Sequence, residues 1–274
     1  MGVVVKQSIK GTIVNYLGVA IGAFTTFFIL TRYLTAEEVG LTRVLVEAAT
    51  LLSGLSQLGT SASILRYYPY FKDEKNKDNG FFFWSIVIPL IGFALFSLVY
   101  VILKTPITSY FAEKSELFNS FYFYMLPLAF FLLYVTVFEA NANVLLRIVV
   151  PKFVREVLVR VLSLGCYLIY AFRLISLEGF VIAFCGVYAV AMIIDIVYLF
   201  RLGKISIRPN YAFLTPEIKR NYLFYTAFLV VASLATTITP FLNTFFISAK
   251  MGLTFTGIYT IAVFIASVIE VPYR

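Results

Sequence analysis

Residues 81–103 read FFFWSIVIPLIGFALFSLVYVIL, 23 residues without one charged side chain. An apolar helix of about 20 residues covers the ~30 Å hydrocarbon core of a bilayer. This stretch has the length and the composition of a membrane-spanning helix. Seven more stretches share that character: 11–31, 41–65, 121–146, 153–172, 177–200, 222–248 and 255–271. None alternates polar and apolar residues in the manner of a membrane β-strand. Helices satisfy their own backbone hydrogen bonds in lipid, so the expected fold is an all-α polytopic membrane bundle with eight crossings.

Composition points the same way. Hydrophobic residues make up 61% of the 274 residues and charged residues 13%, against about 25% charged in soluble domains. The net charge of +8 is explained by its placement rather than by nucleic acid. With helix ends assigned alternately to two sides, one side holds 16 Lys and Arg and the other holds 6. The positive-inside rule puts the richer side, with the N-terminus, in the cytoplasm. The first apolar stretch is too long for a cleavable signal and reads as a true first helix. There is no histidine, which removes the commonest general base and metal ligand. Cys166 and Cys185 fall inside apolar stretches and read as small buried hydrophobes. Neither a catalytic site, nor a metal site, nor a bound cofactor is expected. GxxxxGK[ST], GxSxG, HExxH and CxxC are all missing.

Polar residues inside apolar helices tend to face partners or water-filled cavities. In the second stretch Arg43, Glu47, Thr50, Gly54, Gln57 and Ser61 recur every three or four residues, which places them on one helix face. Arg43 and Glu47 are spaced for an ion pair. The fourth stretch carries Glu139, Asn143 and Arg147 at intervals of four; the first carries Asn15, Gly18 and Gly22; the seventh carries Thr236, Thr237, Thr239, Pro240, Asn243 and Thr244. These faces read either as cavity walls or as helix-packing seams. The expected cavity residues are Asn15, Arg43, Glu47, Gln57, Glu139, Asn143 and Asn243. The carboxylates Glu47, Glu139, Asp195 and Glu270 are candidates for ion coupling by a proton or sodium ion, with Asp195 within reach of water or Arg201. Arg66, Arg147 and Arg155 sit where basic side chains meet anionic headgroups.

The chain divides at its link 201–221, which contains Pro209 and Pro216. Residues 1–200 form a six-helix lobe, and 222–274 begin a second one. An offset of 217 residues places Gly40 on Gly257 and Phe28 on Phe245, a weak repeat of the kind that builds transporters. On that reading the protein is expected to continue past Arg274.

The run ILTRYLTAEEVGLTRVLVEAATLLSGLSQLGTSASILRYYPYF, residues 29–71, resembles the start of Wzx-type polysaccharide flippases of the multidrug/oligosaccharidyl-lipid/polysaccharide exporter superfamily. Arg32, Glu37, Glu38, Gly40, Leu58-Gly59 and Arg66-Tyr67 carry the likeness. The run FEANANVLLRIVVPKFVREVLVRVLSL, 138–164, resembles the same proteins' passage from fourth to fifth helix. The resemblance implies two lobes around a central cavity, working by alternating access in the inner membrane. It implies an oligosaccharide on a polyprenyl pyrophosphate as cargo, with Arg43 meeting pyrophosphate. Membrane lipids, a glycan polymerase and glycosyltransferases are the implied partners. Many relatives carry an acid near the outer end of the seventh helix, where this chain has Asn243. A cation-coupled drug exporter, a membrane-embedded glycosyltransferase or polymerase, and a non-transporting scaffold are the competing readings.

Overall fold

The computed structural model describes residues 3–73, 78–111, 116–203, 205–211 and 215–270; the side chains of Thr236, Thr237, Pro240 and Glu270 lie outside the described set. Among the described residues the regular structure is helical throughout. Among the described residues, five runs are long and apolar enough to cross a membrane: Gln7–Tyr33, Ala36–Phe71, Asp78–Ile102, Tyr122–Val144 and Leu177–Arg201. Leu253–Ser267 is a shorter apolar helix. The chain is a multi-pass membrane protein.

Helix α1 (Val3–Phe24) runs on through a π-helical segment, Thr25–Leu30, to Tyr33. Next, α2 (Ala36–Ser56) opens on a capping box: Thr35 Oγ1 accepts from the Glu38 N–H at 3.2 Å, and the Thr35 N–H donates to Glu38 Oε2 at 2.8 Å. The pair satisfies two backbone donors that a helix start leaves free. The expected single helix over 41–65 is in fact two. Leu58 (φ 48°) and Gly59 (φ 69°) adopt left-handed backbone, and α3 (Thr60–Phe71) restarts after them. A Cβ on Gly59 would sit 2.8 Å from that of Leu229, so the close approach needs glycine there as well.

The remaining long helices are α4 (Phe81–Ile102), α5 (Met125–Val144), α6 (Val159–Ala171), α7 (Leu177–Arg201), α8 (Pro216–Met251) and α9 (Leu253–Glu270). A turn Val149–Phe153 and a π-helical segment Val154–Leu158 lead into α6. The link after α4 folds into two short helices, Lys104–Phe111 and Glu116–Ser120. Beside them the Tyr100 and Tyr122 rings stack at 4.2 Å, and each hydroxyl donates to the other residue's carbonyl, at 3.0 and 2.8 Å. At the opposite end Gln7 ties α1 to the turn after α5: its Nε2 donates to the Leu146 carbonyl, and its Oε1 accepts from the Ile148 N–H at 3.1 Å.

Helices in lipid gain little by hiding apolar surface from one another, so close backbone approach at small residues matters more. The closest crossing lies between α2 and α9. A Cβ on Gly40 would meet the Leu253 carbonyl oxygen at 2.0 Å, and one on Gly257 would meet the Ala36 carbonyl oxygen at 1.9 Å. The contact is reciprocal: the offset that carries Gly40 onto Gly257 also carries Ala36 onto Leu253. Gly92 on α4 approaches the Ser56 carbonyl in the same manner, and Gly18 on α1 approaches that of Glu156.

Candidate functional site

Among the described residues, two groups of charged and polar side chains stand out inside the bundle. The first is on α2 beside α8. Arg43 and Glu47 form the ion pair expected from their spacing, with the Glu47 side chain 5% exposed and that of Arg43 39% exposed. Thr244 of α8 faces the same carboxylate, and Glu47 Oε2 is buried without a hydrogen-bond partner among the described residues. The neighbouring Asn243 is exposed, and its amide donates to the Tyr259 hydroxyl of α9 at 3.4 Å. Gln57 lies in the break between α2 and α3 and accepts from Ser61 Oγ at 2.6 Å. Gln57 keeps helical backbone and ends the α2 face, and the left-handed turn at Leu58-Gly59 means that Ser61 does not extend the Arg43 stripe as a continuous helix would.

The second group lies between α1, α5, α7 and the π-helical segment Val154–Leu158. Glu139, expected in the cavity, accepts from Arg155 Nη1 at 2.7 Å. Arg155 Nε reaches Glu156 at 3.2 Å, Arg160 Nη2 reaches Glu156 at 3.0 Å, and Arg160 Nη1 donates to the Gly18 carbonyl at 2.8 Å. Arg155, expected at headgroups, is engaged in these ion pairs, because two carboxylates stand within its reach. Asp195 of α7 is fully buried, and neither oxygen has a hydrogen-bond partner among the described residues. The charged groups acting on it are Glu139 and Arg155, where the sequence pointed to Arg201.

Other expected residues are scattered. Asn15 and Asn143 are half-buried and Arg147 is exposed. Arg66, also exposed, lies 4.1 Å from the Tyr225 ring centroid, within cation–π range. The Glu139 helix has a second polar face that the four-residue spacing missed: Asn141 Nδ2 donates to Ser85 Oγ of α4 at 3.1 Å.

Two cavities flank these groups. One of ≈560 Å³ is lined by apolar side chains including Leu52, Leu55, Phe96, Tyr100 and Phe245. The other, ≈370 Å³, is lined by Arg66, Tyr67, Tyr70, Glu217, Asn221, Phe224 and Tyr225. The first suits hydrocarbon. The second offers aromatic faces, a cation and an amide, the groups that recognise sugars and phosphates.

The architecture is that of a multi-pass helical membrane protein. The family model for polysaccharide biosynthesis proteins matches residues 8–273, and the chain belongs to that family. No curated relative and no solved structure matches it. The protein therefore takes part in polysaccharide biosynthesis at a membrane.

Proposed function

We propose that the protein is a flippase that carries a polyprenyl-pyrophosphate-linked oligosaccharide from the cytoplasmic to the outer leaflet of the inner membrane. The supporting observation is the family match over nearly the whole of a multi-pass helical chain. Polysaccharide building at a membrane has one step that a multi-pass helical bundle suits: moving the polar cargo across.

On this reading the chain crosses eight times from a cytoplasmic N-terminus. Residues 1–200 form a six-helix lobe, 201–221 a cytoplasmic link, and 222–274 the start of a second lobe. The Gly40–Gly257 crossing is then the contact between lobes, and its rocking provides alternating access. Arg43 attracts the pyrophosphate, Glu47 holds its guanidinium, and Thr244 faces the Glu47 carboxylate and shapes the wall. Asn15, Gln57, Asn143 and Asn243 offer hydrogen bonds to sugar hydroxyls, and Arg66 and Arg147 meet headgroups. A proton or sodium ion supplies the driving force through the carboxylates Glu47, Glu139, Asp195 and Glu270. No covalent bond of the cargo changes. A glycan polymerase and glycosyltransferases work on either side of this step.

Cells lacking the protein test the proposal. Complete lipid-linked oligosaccharide is expected to accumulate on the cytoplasmic leaflet, with drug sensitivity unchanged. A normal leaflet distribution, in cells without a second flippase, overturns it in favour of a drug exporter.

A further inference from the structure

The cluster around Arg155 holds three basic and three acidic side chains, and one of the acids stands outside its ion pairs. Arg155 and Arg160 balance Glu139 and Glu156 through the ion pairs already described. Lys152 also acts on Glu139. Asp195 is the third acid, fully buried, with neither oxygen hydrogen-bonded among the described residues. Its helix packs against both α5 and the π-helical segment that carries Arg155. Val135, Val154, Val159, Val187 and Ala191 form an apolar core between these elements. A buried charge without a partner is the costliest arrangement a protein interior can hold.

We propose that Asp195 and Glu139 form a proton-exchange site that shares one proton across Arg155. In this structure Arg155 pairs with Glu139, and Asp195 carries the proton. When the proton passes from the Asp195 carboxyl to the Glu139 carboxylate, the guanidinium moves to Asp195, so one ion pair and one neutral acid exist before and after.

The exchange has a mechanical outlet. Arg155 sits in a π-helical segment, a feature concentrated at functional sites. The Glu156 carbonyl of that segment abuts Gly18, and Arg160 donates to the Gly18 carbonyl. Movement of Arg155 therefore bears directly on α1. The use of this exchange to drive transport rests on the flippase reading; the exchange itself does not.

Aspartate-specific labelling tests it, because the chain has only three aspartates, Asp73, Asp78 and Asp195. Asp78 accepts from the Tyr68 hydroxyl and the Asp73 N–H, and Asp73 itself lies in the polar link outside the spans. Purified protein carrying carboxyl-¹³C aspartate is expected to show an isotope-shifted protonated-carboxyl stretch in its infrared spectrum at neutral pH. In Glu139→Gln, Arg155 keeps Glu156 on its Nε but its Nη1 loses Glu139 and turns to Asp195, so the band is expected to vanish. No shifted band in the native protein, or a band that survives Glu139→Gln, overturns the proposal. If Glu139→Gln does not fold, Arg155→Gln with labelled glutamate replaces it: a new protonated-glutamate band is expected, and its absence overturns the exchange. The spectra contain no transport step. Their failure leaves the flippase reading standing, and failed translocation with these spectra intact overturns that reading alone.

Discussion

Valine in place of Gly40 is expected to unseat α9 from α2 and lower the unfolding midpoint of the purified protein by many degrees. The first added carbon would stand 2.0 Å from the Leu253 carbonyl oxygen and 2.8 Å from its carbon. Both are backbone atoms, so no rotamer change relieves the overlap and one helix must move. Overpacking of a tight interior costs about 1–3 kcal/mol and occasionally more; a clash with main chain belongs at the upper end of that range. Gly257→Val should behave alike, since its Cβ meets the Ala36 carbonyl oxygen at 1.9 Å. Gly186→Ala supplies the control. Nothing lies within 4 Å of the Cβ there, and alanine favours helix over glycine by about 1 kcal/mol, so its midpoint should hold or rise. Equal losses in all three proteins would show that the Gly40–Gly257 crossing is not a tight contact.

Removing Arg43 is the second large effect. Arg43→Ala leaves Glu47 charged, buried and facing only Thr244. Breaking a buried pair from one side costs about 3–5 kcal/mol, and the partial exposure of Arg43 places this case at the lower end. Glycan export should fall to background. The double variant Arg43→Gln/Glu47→Gln separates the two consequences, because it removes both charges and leaves no uncompensated ion. It should recover most of the stability and none of the export. Export restored along with stability would mean that the pair serves packing, and that the pyrophosphate is met elsewhere.

Much of the architecture was legible in the sequence because membrane helices are written in a simple code. The charge-free run 81–103 corresponds to α4 within one residue, and 177–200 corresponds to α7 within one residue. The Gly40–Gly257 offset, read as a weak repeat, turns out to be a physical contact. What the sequence concealed was mostly backbone geometry. Leu58-Gly59 interrupts an apolar run with no proline to announce a stop, and a helical wheel drawn across it misplaces Ser61. The link after α4 hides two short helices whose apolar residues, Phe111 and Phe118, fold back into the core.

The candidate site was legible by residue type more than by arrangement. Arg43 and Glu47 were paired by spacing alone, since both lie on one helix. Glu139 and Arg155 were assigned to different surroundings, because their meeting depends on how the turn 145–153 brings the next helix back. Asp195 was the hardest to place. One acid in an apolar helix looks the same in sequence whether it reaches water, Arg201 or the interior. Only packing puts it beside Glu139 and Arg155.

The central claim is that this protein moves a lipid-linked glycan between leaflets, and reconstitution tests it most directly. Purified protein is placed in sealed vesicles containing polyprenyl-pyrophosphate-linked oligosaccharide, under an imposed proton gradient. A membrane-impermeant reagent that reacts with sugars then reports the fraction of cargo facing outward. The account predicts that the accessible fraction rises with time to include the inner-leaflet pool, and that the Arg43→Gln/Glu47→Gln protein leaves it unchanged. An accessible fraction that stays at the level of protein-free vesicles, under gradients of either direction and with folded protein, would contradict it.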